Sequence, residues 1–232
     1  MPETLMPGSN PPSAVMLFAA GFGTRMGALT ANTPKPLIPV AGRPLLDHAL
    51  ALTDGVPTRV VNAHYLADQV VSHLAGTDVQ VSVEHPTILD TGGGLKHALP
   101  LLGPDPVFTL NTDAVWSGPN PLHLLREAWN PATMDALLLC VPLQNAIGRK
   151  GGGDFSLKNR HLSWQGDFVY TGAQIVKTDR LSTIDDPAFS LHRLWNAALD
   201  AGRFCGIPYP GTWCDVGHPE GIRLAEDMLA RT

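Results

Sequence analysis

The chain has 232 residues, is 44% hydrophobic and carries a net charge of −5, with 16 Lys and Arg against 21 Asp and Glu. That length suits one sizeable α/β domain, and the acidic balance excludes a general nucleic-acid or anionic-membrane binder, whose surface needs a basic excess. Cys140, Cys205 and Cys214 are widely separated, with no CxxC or Cys/His metal spacing, which points to reduced thiols in a cytoplasmic protein and not to a disulfide framework.

Residues 1–13, MPETLMPGSNPPS, have neither the basic segment nor the apolar core of a secretory signal. They read as a disordered lead-in, Met6 being an alternative start, with the domain running from 14 to 232. No apolar run approaches the length of a membrane span. Residues 15–20 (VMLFAA) are wholly apolar and stop at Gly21, as a central strand buried on both faces would.

The loop that follows, GFGTRMGALTANTPKPLIPVAGRP, carries Gly21, Gly23, Thr24, Arg25 and Lys35. Glycines at a strand-to-loop transition let backbone N–H groups approach an anion, and Arg25 and Lys35 add charge there. Lys35 stands between two prolines, which preset its backbone. A dinucleotide fingerprint needs glycine at 26, where Met26 stands, and no GxxxxGK[ST] occurs anywhere.

Residues 44–53 predict a helix with proline in its first turn, 58–63 a strand ending near Asn62, 66–74 a helix and 79–84 a strand. Residues 93–101 predict a helix opening on a glycine run, and 106–111 a buried strand leading to Asp113. Residues 135–141 are a further apolar strand. The alternation indicates a doubly wound, Rossmann-like, mostly parallel central sheet, whose ligands lie beyond the carboxyl ends of the strands.

Past residue 145 a glycine-rich turn at 148–154 precedes three short strands at 155–157, 161–164 and 168–175, expected as a smaller antiparallel region. Residues 189–201 predict an amphipathic helix with Leu191, Leu194, Trp195 and Ala198 on one face. Residues 203–208 and the WCD segment at 213–215 read as strands, and 219–230 as a closing helix. Trp116, Trp164, Trp195 and Trp213 read as core. Cys214 has two readings, a reactive thiol or a small buried apolar residue, the second being the ordinary one.

AAGFGTRM followed by TPKPLIPVAGRPLLDHAL resembles the signature of the sugar-1-phosphate nucleotidyltransferase family, and DTGGGLKHAL, LNTD and GTWCDVG match it further along the chain. The resemblance implies a single-domain nucleotidyltransferase (GT-A-like) fold with its antiparallel region on the sugar side. It also implies transfer of a nucleotidyl group from a nucleoside triphosphate to a sugar 1-phosphate with Mg2+. The triple glycine of DTGGGL and the segments GGGDFSL and GTWCDVG are similar to members that use UTP and N-acetylmuramate 1-phosphate. Mannose and glucose 1-phosphates remain alternative acceptors, and a non-catalytic nucleotide-sensing homologue an alternative role.

The resemblance assigns Asp113 and Asp215 to the metal, and Arg25 and Lys35 to the triphosphate together with Ala20, Gly21, Gly23 and Thr24. Arg25, Lys35 and Asp113 are the expected catalytic set. Gly92 and Gly93 have two readings, a backbone surface for the base or a plain helix start. Asp154 is either a sugar ligand or an exposed loop charge, Asn62 either faces the sugar or satisfies a loop, and Thr171 and Gly172 are expected to line the sugar site. Thr112 stands where the family often has glycine.

Overall fold

The computed structural model describes residues 11–103 and 105–231. Most of the expected lead-in, residues 1–10, therefore lies outside the described residues. The first half runs β1 (Ala14–Phe18), β2 (Pro39–Val40), β3 (Arg43–Pro44), α1 (Leu45–Ala51), β4 (Thr58–Ala63), α2 (Ala67–Leu74), β5 (Gln80–Val83) and α3 (Asp90–Leu102). Then come β6 (Val107–Asn111), β7 (Ala114–Ser117), α4 (Pro121–Ala128), β8 (Ala136–Pro142) and β9 (Ala146–Ile147). The last part holds β10 (Phe155–Lys158), β11 (His161–Trp164), β12 (Phe168–Val176), α5 (His192–Asp200), β13 (Phe204–Pro208), β14 (Thr212–Asp215) and α6 (Pro219–Leu229).

Among the described residues nine strands form one sheet in the order β10-β11-β13-β8-β12-β6-β1-β4-β5. The neighbours β5, β4, β1 and β6 are parallel, as are β8 and β13. The expected antiparallel strands are present, and they join this sheet. The nine-residue β12 lies between β6 and β8, antiparallel to both. Its residues 171–176 are all buried, as suits a central place covered on both faces.

Alternation along β1 shows how the layers form. Val15 and Leu17 pack with Leu46 and Ala49 of α1, Val70 and Leu74 of α2, and Leu122 and Leu125 of α4. Ala14 and Met16 face the other way, onto Leu95, Ala98 and Leu102 of α3. The expected stripe of α5 (Leu194, Trp195, Ala198) lies in that same layer. Burying both faces of the parallel strands leaves only their carboxyl ends to open onto a cleft.

The short strands β2, β3, β7 and β9 were not expected, and two helices also differ from expectation. Helix α3 starts at Asp90, earlier than its glycines suggest, because the Phe189 carbonyl accepts the N–H groups of Gly92 at 2.8 Å and Gly93 at 3.0 Å. These are first-turn donors that no intrahelical carbonyl can reach. Helix α4 was not expected. Asn120 caps it by accepting from Leu122 N at 2.8 Å, with Pro121 at the first helical position, a start signal present in the sequence.

Candidate active site

Two cavities, of about 450 Å³ and about 360 Å³, open at the carboxyl ends of β1, β4 and β6 and share Arg25, Asn111 and Asp113. The first is walled by the loop after β1. Ala20, Gly21, Gly23, Thr24, Arg25 and Lys35 all line it. Gly23 has φ +64°, and a Cβ there would stand 2.9 Å from both Lys35 Cβ and Thr30 Cγ2. Glycine is thus required by conformation and by the close passage of the Lys35 segment.

Lys35 is buried, and its Nζ donates to Asp113 Oδ2 at 2.9 Å. Burial pushes the Asp113 carboxyl up, but the charge and hydrogen bond of Lys35 and the charge of Arg25 outweigh it and hold the group below its ordinary value. Arg25 is exposed and makes no hydrogen bond or ion pair among the described residues. It is a cation open to a ligand.

Asp215 arrives from the opposite end of the chain. Antiparallel pairing of β7 with β14 sets Asp215 opposite Ala114, and Val216 N donates to the Asp113 carbonyl at 2.8 Å. A Cβ at Gly217 would stand 3.0 Å from Asp215 Oδ1 and 3.3 Å from Arg25 Nη1. Burial and then the like charge of Asp113 raise the Asp215 carboxyl. Two adjacent carboxylates, one raised by the other, form an all-oxygen donor pair whose repulsion a divalent cation relieves. Among the described residues no three His, Cys, Asp or Glu side chains gather to hold a metal by themselves. The pair therefore fits Mg2+, which takes one or two protein carboxylates and completes its shell with phosphate and water.

Other expected residues find different work. Gly92 and Gly93 do not line the first cavity; Asp90 and Thr91 do. A Cβ at Gly92 would strike the Phe189 ring at 2.4 Å, and one at Gly93 the Pro187 carbonyl at 2.2 Å, so these glycines seat the 187–189 segment. Asn62, expected either to face the sugar or to satisfy a loop, lines the first cavity and not the second. Its Oδ1 accepts from Ala19 N at 2.7 Å and its Nδ2 donates to the buried Glu84 at 2.6 Å, tying the strand ends together.

Asp154 and Thr171 line the second cavity, while Gly172 does not. Gly172, at φ +90°, makes room for Asn111, whose Cβ lies 2.6 Å from where a Cβ would sit. The Thr171 hydroxyl donates to the Leu139 carbonyl at 2.6 Å. Asp154 is no exposed loop charge: Oδ1 accepts from Arg149 at 2.6 Å and Oδ2 from Tyr170 N at 2.9 Å. Thr112 is buried and donates to the Phe18 carbonyl at 2.7 Å, fastening the ends of β6 and β1.

The tryptophans read as core do more than fill space, since Trp164, Trp195 and Trp213 line the second cavity. Asn111 and Arg149 were missed. Asn111 had a signal, its place at the strand end in LNTD; Arg149 lay in a glycine-rich turn whose path the sequence does not reveal. Cys214 is wholly buried, and burial together with Asp215 pushes its thiol up to about 12, which removes the reactive reading.

A cleft walled by a glycine loop and two cations, joined at Arg25, Asn111 and Asp113 to a second cavity that Asp215 also lines, is the arrangement of a nucleotidyltransferase. The chain belongs to the MobA-like NTP transferase domain family, which residues 15–147 match. It is 38% identical to the N-acetylmuramate alpha-1-phosphate uridylyltransferase of Caulobacter vibrioides, over 96% of this chain and 99% of that protein. The protein of the same name from Neisseria meningitidis serogroup B is 30% identical over 87% of this chain and 92% of its own. The fold is similar to that of HddC from Yersinia pseudotuberculosis complexed with GMP-PN, with a TM-score of 0.75, 18% identity and coverage of 93% of this chain and 99% of that one. It is also similar to the inositol-1-phosphate CTP transferase from T. maritima, with a TM-score of 0.73, 14% identity and coverage of 94% and 97%.

Proposed function

We propose that the chain transfers a uridylyl group from UTP to N-acetylmuramate 1-phosphate, releasing pyrophosphate, as a cytoplasmic step in re-use of cell-wall sugars. The observation that carries the chemistry is the junction of the two cavities at Arg25, Asn111 and Asp113. A triphosphate in the first cavity and a sugar phosphate in the second would meet there. The choice of UTP and N-acetylmuramate 1-phosphate is supported by the names of the two relatives aligned over most of both chains.

In the reaction an oxygen of the sugar phosphate bonds to the α-phosphorus as the bond from α-phosphorus to the bridging oxygen breaks, and the pair of electrons leaves with pyrophosphate. The attacking oxygen is already ionised, so no general base is required. The work of the protein is positioning and charge neutralisation. The open glycine loop after β1 would receive the triphosphate through backbone N–H groups. Arg25, unpaired and exposed, would meet the leaving pyrophosphate, and Lys35 the phosphates beside Asp113. Asp113 and Asp215 would hold Mg2+, which when bound draws off charge from the phosphate oxygens. Asp154 would act from the wall of the second cavity, on the sugar.

The test is pyrophosphate release with Mg2+ across UTP, dTTP, GTP and CTP, each with the 1-phosphates of N-acetylmuramate, glucose and mannose. Release confined to UTP with N-acetylmuramate 1-phosphate is expected. Preference for GTP with mannose 1-phosphate would favour the activity in the name of the Gibberella zeae relative, which is 27% identical over 88% of this chain. Silence from protein that binds a nucleotide would make it a sensor.

A further inference from the structure

The second cavity contains a cation to which the reaction above gives no work. Arg149 lines it, half-buried, and its guanidinium makes one hydrogen bond among the described residues, from Nη2 to Asp154 Oδ1 at 2.6 Å. Its Nε is buried with no acceptor. Asp154 is itself fixed, because its other oxygen accepts the N–H of Tyr170 at 2.9 Å. The aspartate thus anchors one corner of a five-donor fork on the cavity wall. A cation with donors to spare beside a cavity offers an anionic ligand charged hydrogen bonds.

Arg149 also acts electrostatically on Asp215, but it does not line the place where the two cavities meet. The reacting phosphate must reach the α-phosphorus, so it belongs where the cavities meet, and Arg25, Asn111 and Asp113 line both. Arg149 lines only the second, on the side of Asp154 and Trp164, where the body of the acceptor would lie. Trp164 Nε1 donates to Asn196 at 2.9 Å and Trp195 Nε1 to Gln174 at 2.9 Å, so these rings offer the cavity faces and no free donor. An N-acetylhexosamine body is neutral, whereas N-acetylmuramate adds one anion, the carboxylate of its lactyl ether.

We infer that Arg149 receives the carboxylate of the acceptor sugar and selects acid sugar phosphates over neutral N-acetylhexosamine phosphates. A planar guanidinium pinned at one corner suits a planar carboxylate better than a hydroxyl. The inference rests on the proposed acceptor.

Calorimetric titration of wild type, Arg149→Gln and Arg149→Lys with UDP-N-acetylmuramate and UDP-N-acetylglucosamine tests it, since the two ligands differ only by the lactyl group. Wild type is expected to favour the acid sugar. Arg149→Gln should weaken that ligand by about 10- to 100-fold, as for loss of a charged hydrogen bond, and the neutral one by less than about threefold. Arg149→Lys should recover part of the loss. An equal fall for both ligands would assign Arg149 to the shared phosphates or to holding Asp154, and no fall would remove it from the site; either overturns the inference. Failure of the acceptor reading shows separately, as wild-type protein that transfers no uridylyl group to N-acetylmuramate 1-phosphate.

Discussion

Lys35 has two tasks, and they can be measured apart. Its Nζ lies 2.9 Å from Asp113 Oδ2, and its charge is the main influence holding that carboxyl down against burial. In Lys35→Met the Asp113 carboxyl should titrate at higher pH than in wild type, read from its side-chain carbon resonance. Turnover should drop by about 100- to 1000-fold in kcat/KM, the usual cost of one donor aimed at developing phosphate charge. Asp113→Asn should lose Mg2+-dependent turnover by a similar or larger factor while keeping its far-ultraviolet circular dichroism. Turnover of Asp113→Asn within tenfold of wild type would remove the metal assignment. Both residues were legible in the sequence because each sits in a long ordered motif. Arg149 was not legible, because its place on the cavity wall depends on the path of a glycine-rich turn.

At the scale of elements, glycine is where sequence and structure part. The run DTGGGL looks like a loop made for a ligand, yet Gly94 lies against Glu84 and Asn62, and Gly92 and Gly93 are where α3 and the 187–189 segment touch. The sequence suggests that small residues are needed there but not what lies against them, since that neighbour comes from about a hundred residues away. Gly93→Ala puts a Cβ 2.2 Å from the Pro187 carbonyl. It should destabilise the protein by about 2–4 kcal/mol, as overpacking against backbone does. Gly152→Ala, with nothing within 4 Å of the added atom, should stay within about 0.5 kcal/mol of wild type. Thermal melts of the two variants check this; equal melting temperatures would mean the 187–189 segment gives way freely. Strands β1 and β8 were legible because burial on both faces leaves an unbroken apolar run. Where β12 joins the sheet was not, since pairing partners far apart in the chain leave no local mark.

Across the whole molecule the sheet is clasped at the end away from the cavities. Asp135 Oδ1 accepts from Lys177 at 2.9 Å and Arg203 at 2.8 Å, joining the ends of β8, β12 and β13. Burial raises this carboxyl, but the hydrogen bonds from Arg203 and Lys177 prevail and hold it below 3.8. The native state therefore binds this proton less readily than the unfolded chain. Its stabilisation is full above the ordinary carboxylate range and disappears as pH falls through the lowered folded value. Asp135→Asn should cost about 1–3 kcal/mol at pH 7 in urea titrations, and the gap from wild type should close as pH drops below about 4. Activity of the folded variant should be unchanged, because the clasp and the cavities lie at opposite ends of the same sheet. A gap that stays constant down to pH 2 would contradict the clasp.

That clasp leaves the carboxyl ends of the strands to form one site from two cavities, and the account stands on what happens where they join. The most direct measurement is phosphorus NMR of the wild-type protein with Mg2+, UTP and N-acetylmuramate 1-phosphate. Attack at the α-phosphorus predicts pyrophosphate and the paired resonances of a sugar nucleotide, growing in equal amounts as both reactants disappear. Orthophosphate with UDP, or an unchanged sugar phosphate beside hydrolysed UTP, would contradict it.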